Sequence, residues 1–158
     1  MISRLRAKLR RALVRRLRAP DMPMSLERMR DIGFKPGLVF DVGAYQGDFA
    51  RMVLDVWPGV RVACFDPLRH RVARIEELRK SHPTIDVYRT LVGAEEKQDV
   101  ELHVAESSTS LLRTSETDKF PIELLPMTTL DRAIERHYGG RAPDLLKLDV
   151  QGYELEVL

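Results

Sequence analysis

A lysine and an aspartate interrupt one otherwise apolar run, Leu145-Leu146-Lys147-Leu148-Asp149-Val150. A strand inside a parallel sheet is normally apolar on both faces, and buried charges are seldom kept without partners or purpose. Asp149 is suited to orient a reacting group or to take its proton. Lys147 is suited to stabilise developing negative charge or to act as the base itself. A purely structural lysine–carboxylate pair is the competing reading. Glu154, just past Gly152, either points back into the same crevice as a substrate contact or is an ordinary first-turn helix carboxylate. No full set of metal ligands accompanies Asp149, so no metal is assigned.

A second cluster is the turn Asp41-Val42-Gly43-Ala44-Tyr45-Gln46-Gly47. Gly43 permits a tight turn and close approach of a ligand to bare backbone, and Gly47 lets the next helix start against the strand. Amides at that helix start are expected to point outward and suit a carboxylate or phosphate. A dinucleotide fingerprint would need glycine where Tyr45 and Asp48 stand. With less room at the turn a pyrophosphate is disfavoured, and the amino-acid end of S-adenosylmethionine is a better fit. Asp66 ends the next apolar run. It either accepts hydrogen bonds from cofactor ribose hydroxyls or caps the helix that Pro67 begins. His103, His137 and the hydroxyls of Ser107, Ser108 and Ser110 are weaker candidates, each with a surface reading beside the functional one.

The elements that must hold these residues follow from periodicity. Leu38 to Phe40, Val60 to Phe65, Ile85 to Val92 and Leu145 to Val150 read as buried strands. Helical spacing joins Phe49, Met52, Val53 and Val56, and again Val72, Ile75 and Leu78, between the first three. This β-α-β-α-β succession implies parallel strands with right-handed crossovers. Val100, Leu102 and Val104 alternate as an edge or hairpin strand would, with a return strand expected over Ile122 to Met127. Thr129 is placed to cap a helix that ends at Gly139-Gly140. Ser25 is expected to cap a short helix stopped by Gly33, with Asp21, Pro23 and Ser25 reading as a linker.

Composition sets outer bounds. The chain has 158 residues, 44% apolar and 32% charged, enough for one core and far from a disordered composition. No apolar run is long enough to span a bilayer. The single cysteine, Cys64, lies in an apolar strand-like run and reads as buried filler. A reducing, cytoplasmic setting fits. The first twenty residues hold eight basic side chains and no acidic one, with Ile2, Leu5, Leu9, Leu13 and Leu17 along one helical face. Such an arm suits an anionic membrane or a partner, giving a peripheral membrane location, or is a solvated helix. Nucleic acid is the less favoured ligand.

In order along the chain, FDVGAYQGDFA, ACFDP, MTTLDRAI and LLKLDVQGYELEVL resemble FkbM-family methyltransferases over roughly residues 30 to 158. The resemblance implies a Rossmann-like, doubly wound α/β fold with a mostly parallel sheet. It implies S-adenosylmethionine as donor and O-methylation of a small-molecule hydroxyl acceptor, such as a sugar or other secondary metabolite. Cofactor contacts would come from Asp41, Gly43, Ala44, Tyr45, Gly47 and Asp66, with Ser108 near the acceptor. The family commonly has Glu where Asp66 stands, so the reach here is shorter. It also implies strands beyond the fourth, so residues 25–158 are expected to form an incomplete domain after an arm and linker over 1–24. A nicotinamide-dependent oxidoreductase and a non-catalytic module using the basic arm are the rival readings.

Overall fold

The structure, a computed structural model, describes residues 21–104 and 121–158. The basic arm and Ser107, Ser108 and Ser110 lie outside the described residues. Four strands form a parallel sheet: β1 (Leu38–Val42), β2 (Arg61–Phe65), β3 (Ile85–Tyr88) and β7 (Leu145–Leu148), in the order β3-β2-β1-β7. The first and last of these are therefore neighbours, with β2 and β3 continuing outward from β1, as the doubly wound reading requires. A smaller sheet holds β4 (Leu91–Val92), β5 (Lys97–His103) and β6 (Ile122–Thr128) in the order β4-β6-β5, with β5 and β6 antiparallel.

Five helices complete the described chain: α1 (Met22–Asp31), α2 (Asp48–Val56), α3 (Arg69–Ser81), α4 (Leu130–Tyr138) and α5 (Glu154–Val157). Every residue of β1 is buried, which is what a strand covered by helices on both faces demands. Its alternate residues serve opposite faces. Val39 packs with Val53 of α2 and Ile75 of α3, while Leu38, Phe40 and Val42 pack with Ala133 of α4 and Val157 of α5. Tyr138 braces α4 on β3 by donating to Asp86 at 2.8 Å, with the Tyr88 hydroxyl 3.1 Å away.

Three expectations are corrected. The linker reading of Asp21 to Ser25 gives way to a helix that already begins at Met22. Pro23 is tolerated in its first turn, where its missing N–H has no partner to lose, and the Ser25 hydroxyl donates back to the Asp21 carbonyl rather than capping. The run Ile85 to Val92 is two strands in different sheets, because the chain turns at Arg89-Thr90. There the Thr90 hydroxyl lies 2.9 Å from the Leu91 carbonyl and 3.2 Å from that of Pro126. The last strand ends at Leu148 rather than Val150, because Glu154 Oε1 takes the Val150 and Gly152 amides.

Candidate functional site

The parallel register sets Lys147 of β7 opposite Asp41 of β1. The two side chains share one face of the sheet, and Lys147 Nζ lies 3.1 Å from Asp41 Oδ1, an ion-pair distance off the direction of a hydrogen bond. Asp41 Oδ2 has no hydrogen-bond partner. The Asp41 carboxyl is fully buried, and burial raises its pKa while Lys147 pulls it back. Lys147 also donates to the Gly43 carbonyl at 2.8 Å and lies 3.6 Å from Asp149 Oδ2. It is thus a countercharge between the end of β1 and the end of β7. Asp149, with a side chain 59% exposed, is the member of this trio open to a ligand.

The turn after β1 is closed more tightly than its sequence suggests. The Gly43 and Ala44 amides both donate to the Phe65 carbonyl, the Tyr45 amide to Asp66 Oδ2, and the Gly47 amide to the Ala44 carbonyl. β2, Asp66 and the turn itself consume these four amides, so of the helix start expected to present outward amides only its cap, Gly47, is turned inward. Gly43, at φ 74°, is required by the backbone of Asp149: a Cβ would collide with that residue's carbonyl. Its bareness serves the contact between β1 and β7. Gly47, at φ 82°, caps α2, and a Cβ there would stand 3.1 Å from Leu78 of α3.

Asp66 is buried, and both its oxygens have backbone partners: Oδ1 accepts from the Leu68 amide at 3.0 Å and Oδ2 from the Tyr45 amide at 2.9 Å. Burial raises its pKa against the opposing pull of the Leu68 amide and Arg71. The Arg71 guanidinium lies 3.8 Å from Oδ2 and 4.7 Å from the centre of the Tyr45 ring, within cation–π range. Tyr45 itself sits at φ 52°, and Gln151 at φ 57°. Left-handed backbone at non-glycine residues costs energy and gathers where a site is being shaped.

Between these residues lies a cavity of about 550 Å³ at the carboxyl ends of β1, β2 and β7, bounded below by Gly43, Ala44, Tyr45 and Asp66 and at one side by Lys147 and Asp149. Phe49 and Met52 of α2, Met22 of α1, and Leu91 and Leu102 of the small sheet form apolar walls. Its position at the switch between β1 and β7 is where doubly wound sheets bind ligands, and its size suits a small organic molecule. Asp41 and Gly47 stand behind the lining. Glu154 faces its own loop, and amide hydrogen bonds, its own and that of Gly152 foremost, lower its pKa. His103 is buried in the small sheet, and His137 packs its ring 4.5 Å from that of Tyr88. Among the described residues no group of three or more His, Cys, Asp or Glu is arranged to hold a metal ion.

Sequence reasoning missed Arg71, the apolar walls and Asp144. Asp144 Oδ2 accepts from the Gly37 and Leu38 amides at 2.7 and 2.9 Å, fastening the starts of β1 and β7 together. Arg71 carried no signal beyond one more charge on a helix rich in arginine. A family model described as the methyltransferase FkbM domain matches residues 41–158. Comparison with curated proteins finds no match.

Proposed function

We propose that this chain, which belongs to the FkbM methyltransferase family, transfers a methyl group from S-adenosylmethionine to a hydroxyl of a small molecule, a sugar or other secondary metabolite. The observation that carries the reading is Asp149, open to a cavity at the β1–β7 switch beside the fixed charge of Lys147. The lining fits the donor by charge: Asp48, Asp66 and Asp149 outnumber Arg71 and Lys147, and the donor carries a sulfonium and an ammonium against one carboxylate. Asp66 and the Tyr45 ring would hold it, with Phe49 and Met52 as apolar walls for its base and the Gly43-Ala44 turn, its amides spent on Phe65, as the floor beneath it.

When bound, S-adenosylmethionine supplies an electrophilic methyl carbon. The chain's part is chiefly to position the reactants. Asp149 accepts the proton of the acceptor hydroxyl, and Lys147, tied to Gly43 and Asp41, provides a positive charge beside the oxygen as it becomes more negative. The turn, with its Gly43, Ala44, Tyr45 and Gly47 amides consumed, offers a pyrophosphate fewer donors and so disfavours a nicotinamide dinucleotide.

Titration calorimetry of the purified chain with S-adenosylhomocysteine and, separately, with NAD tests this. Binding of the first and not the second is expected. Binding of NAD alone would transfer the site to oxidoreductase chemistry, and binding of neither would favour the non-catalytic module.

A further inference from the structure

We propose that the first twenty residues dock on an anionic bilayer and turn the cavity mouth toward it, so that the acceptor hydroxyl is presented from a membrane surface. The acceptor half rests on the methyltransferase reading, and the docking half stands without it.

The charge of the chain is divided at one point. Residues 1–20 hold eight of the 26 basic side chains and none of the 24 acidic ones, so residues 21–158 carry 18 basic against 24 acidic residues. An anionic surface would attract the arm and repel the remainder, so contact is confined to the arm and to the residues that adjoin it in the chain. The arm also repeats apolar residues at steps of three and four, from Ile2 through Leu5, Leu9 and Leu13 to Leu17. Cations along an apolar stripe are the pattern of a helix lying in a membrane interface. A phosphate backbone would use the cations and leave the stripe without a role.

The structure adds where the arm arrives. Asp21 is the N-cap of α1, and the first residue of that helix, Met22, lines the cavity. The end of the arm is therefore one residue from the cavity rim. Met22 is 50% exposed there and Tyr45, also lining the cavity, 46%. From these two the apolar wall runs inward through Phe49 and Met52. An apolar rim continuous with an apolar wall suits an acceptor whose body stays in the bilayer while its hydroxyl enters.

The test is flotation of the full chain with vesicles of phosphatidylcholine, with and without phosphatidylglycerol, at about 0.15 M salt. Retention by the anionic vesicles alone is expected. The charge-reversed variant R10E/R11E/R15E/R16E should lose retention by roughly a thousandfold or more while keeping its circular dichroism and its affinity for S-adenosylhomocysteine. Orientation is read by an environment-sensitive dye on Met22→Cys or on Glu135→Cys. Glu135 lies on α4 across the sheet from α1, and the natural Cys64 is buried. Anionic vesicles should shift the emission of the first dye and leave the second unchanged. No retention, equal retention on neutral vesicles, retention by duplex DNA instead, an unaffected charge-reversed variant, or equal shifts of both dyes would each overturn the proposal. None of these outcomes depends on whether the cavity binds S-adenosylhomocysteine.

Discussion

Replacing Lys147 with methionine would leave the Asp41 carboxylate, buried and unpartnered at Oδ2, without its countercharge. Removing one member of a buried pair costs about 3–5 kcal/mol, and Lys147→Met should destabilise the chain by the lower end of that range, because its side chain keeps some contact with solvent. Adding Asp41→Asn should restore most of the loss, measured by urea unfolding of the single and double variants. Equal stability of the single variant and the parent would mean that Lys147 is not the countercharge. Asp66 poses a different question, because both its oxygens already hold amides. Asp66→Ala should weaken S-adenosylhomocysteine binding by about 1–3 kcal/mol in calorimetry, and unchanged affinity in a folded variant would confine Asp66 to holding the turn. The sequence marked Asp41, Gly43, Lys147 and Asp149 as unusual, because charge in an apolar run and glycine at a strand exit are local signals. It did not show that Gly43 is bare for the Asp149 carbonyl, since that contact joins segments over a hundred residues apart.

At the scale of elements, punctuation decided what was legible. β1 and β2 are short apolar runs bounded by glycine, proline and aspartate, and composition marks their presence, but β1 runs past Phe40 through Asp41 to Val42 and β2 begins at Arg61 rather than Val60. The break between β3 and β4 has no such mark, because Arg89-Thr90 interrupts hydrophobicity no more than an ordinary surface pair would. Thr129 is the opposite case, a cap visible in sequence and present in the structure, where its hydroxyl accepts from the Arg132 amide at 3.1 Å. Thr129→Ala should cost about 1 kcal/mol and lower the thermal midpoint, whereas Thr129→Asp should lose little. Equal losses in both would point to a packing role for the threonine methyl instead. At Ser25 the same residue chemistry misled, because Pro23 had already opened the helix.

For the whole molecule, the attachment of β7 matters most, since among the described residues it pairs only with β1. Two fastenings hold it there: Asp144 on the Gly37 and Leu38 amides at one end, Lys147 on the Gly43 carbonyl at the other. The Asp144 carboxyl has a pKa below the ordinary carboxylate value, with the Gly37 amide the first cause. Its contribution is therefore complete above that ordinary value and is lost as pH falls through the lowered one. Asp41 runs the other way: its raised pKa means that ionisation opposes folding, so its contribution grows as pH falls through the raised value. Hydrogen exchange, corrected for the intrinsic pH dependence, separates the two. Amides of β7 should open before those of β1 and β2 at neutral pH, as a strand with one neighbour should. Below the ordinary carboxylate range the gap should widen, and Asp144→Asn should show the wide gap already at neutral pH with no further widening in acid. If β7 instead opens only together with β1 and β2 at every pH, the β1–β7 pair unfolds as part of one cooperative core, and Asp144 is an ornament of the loop rather than its fastening.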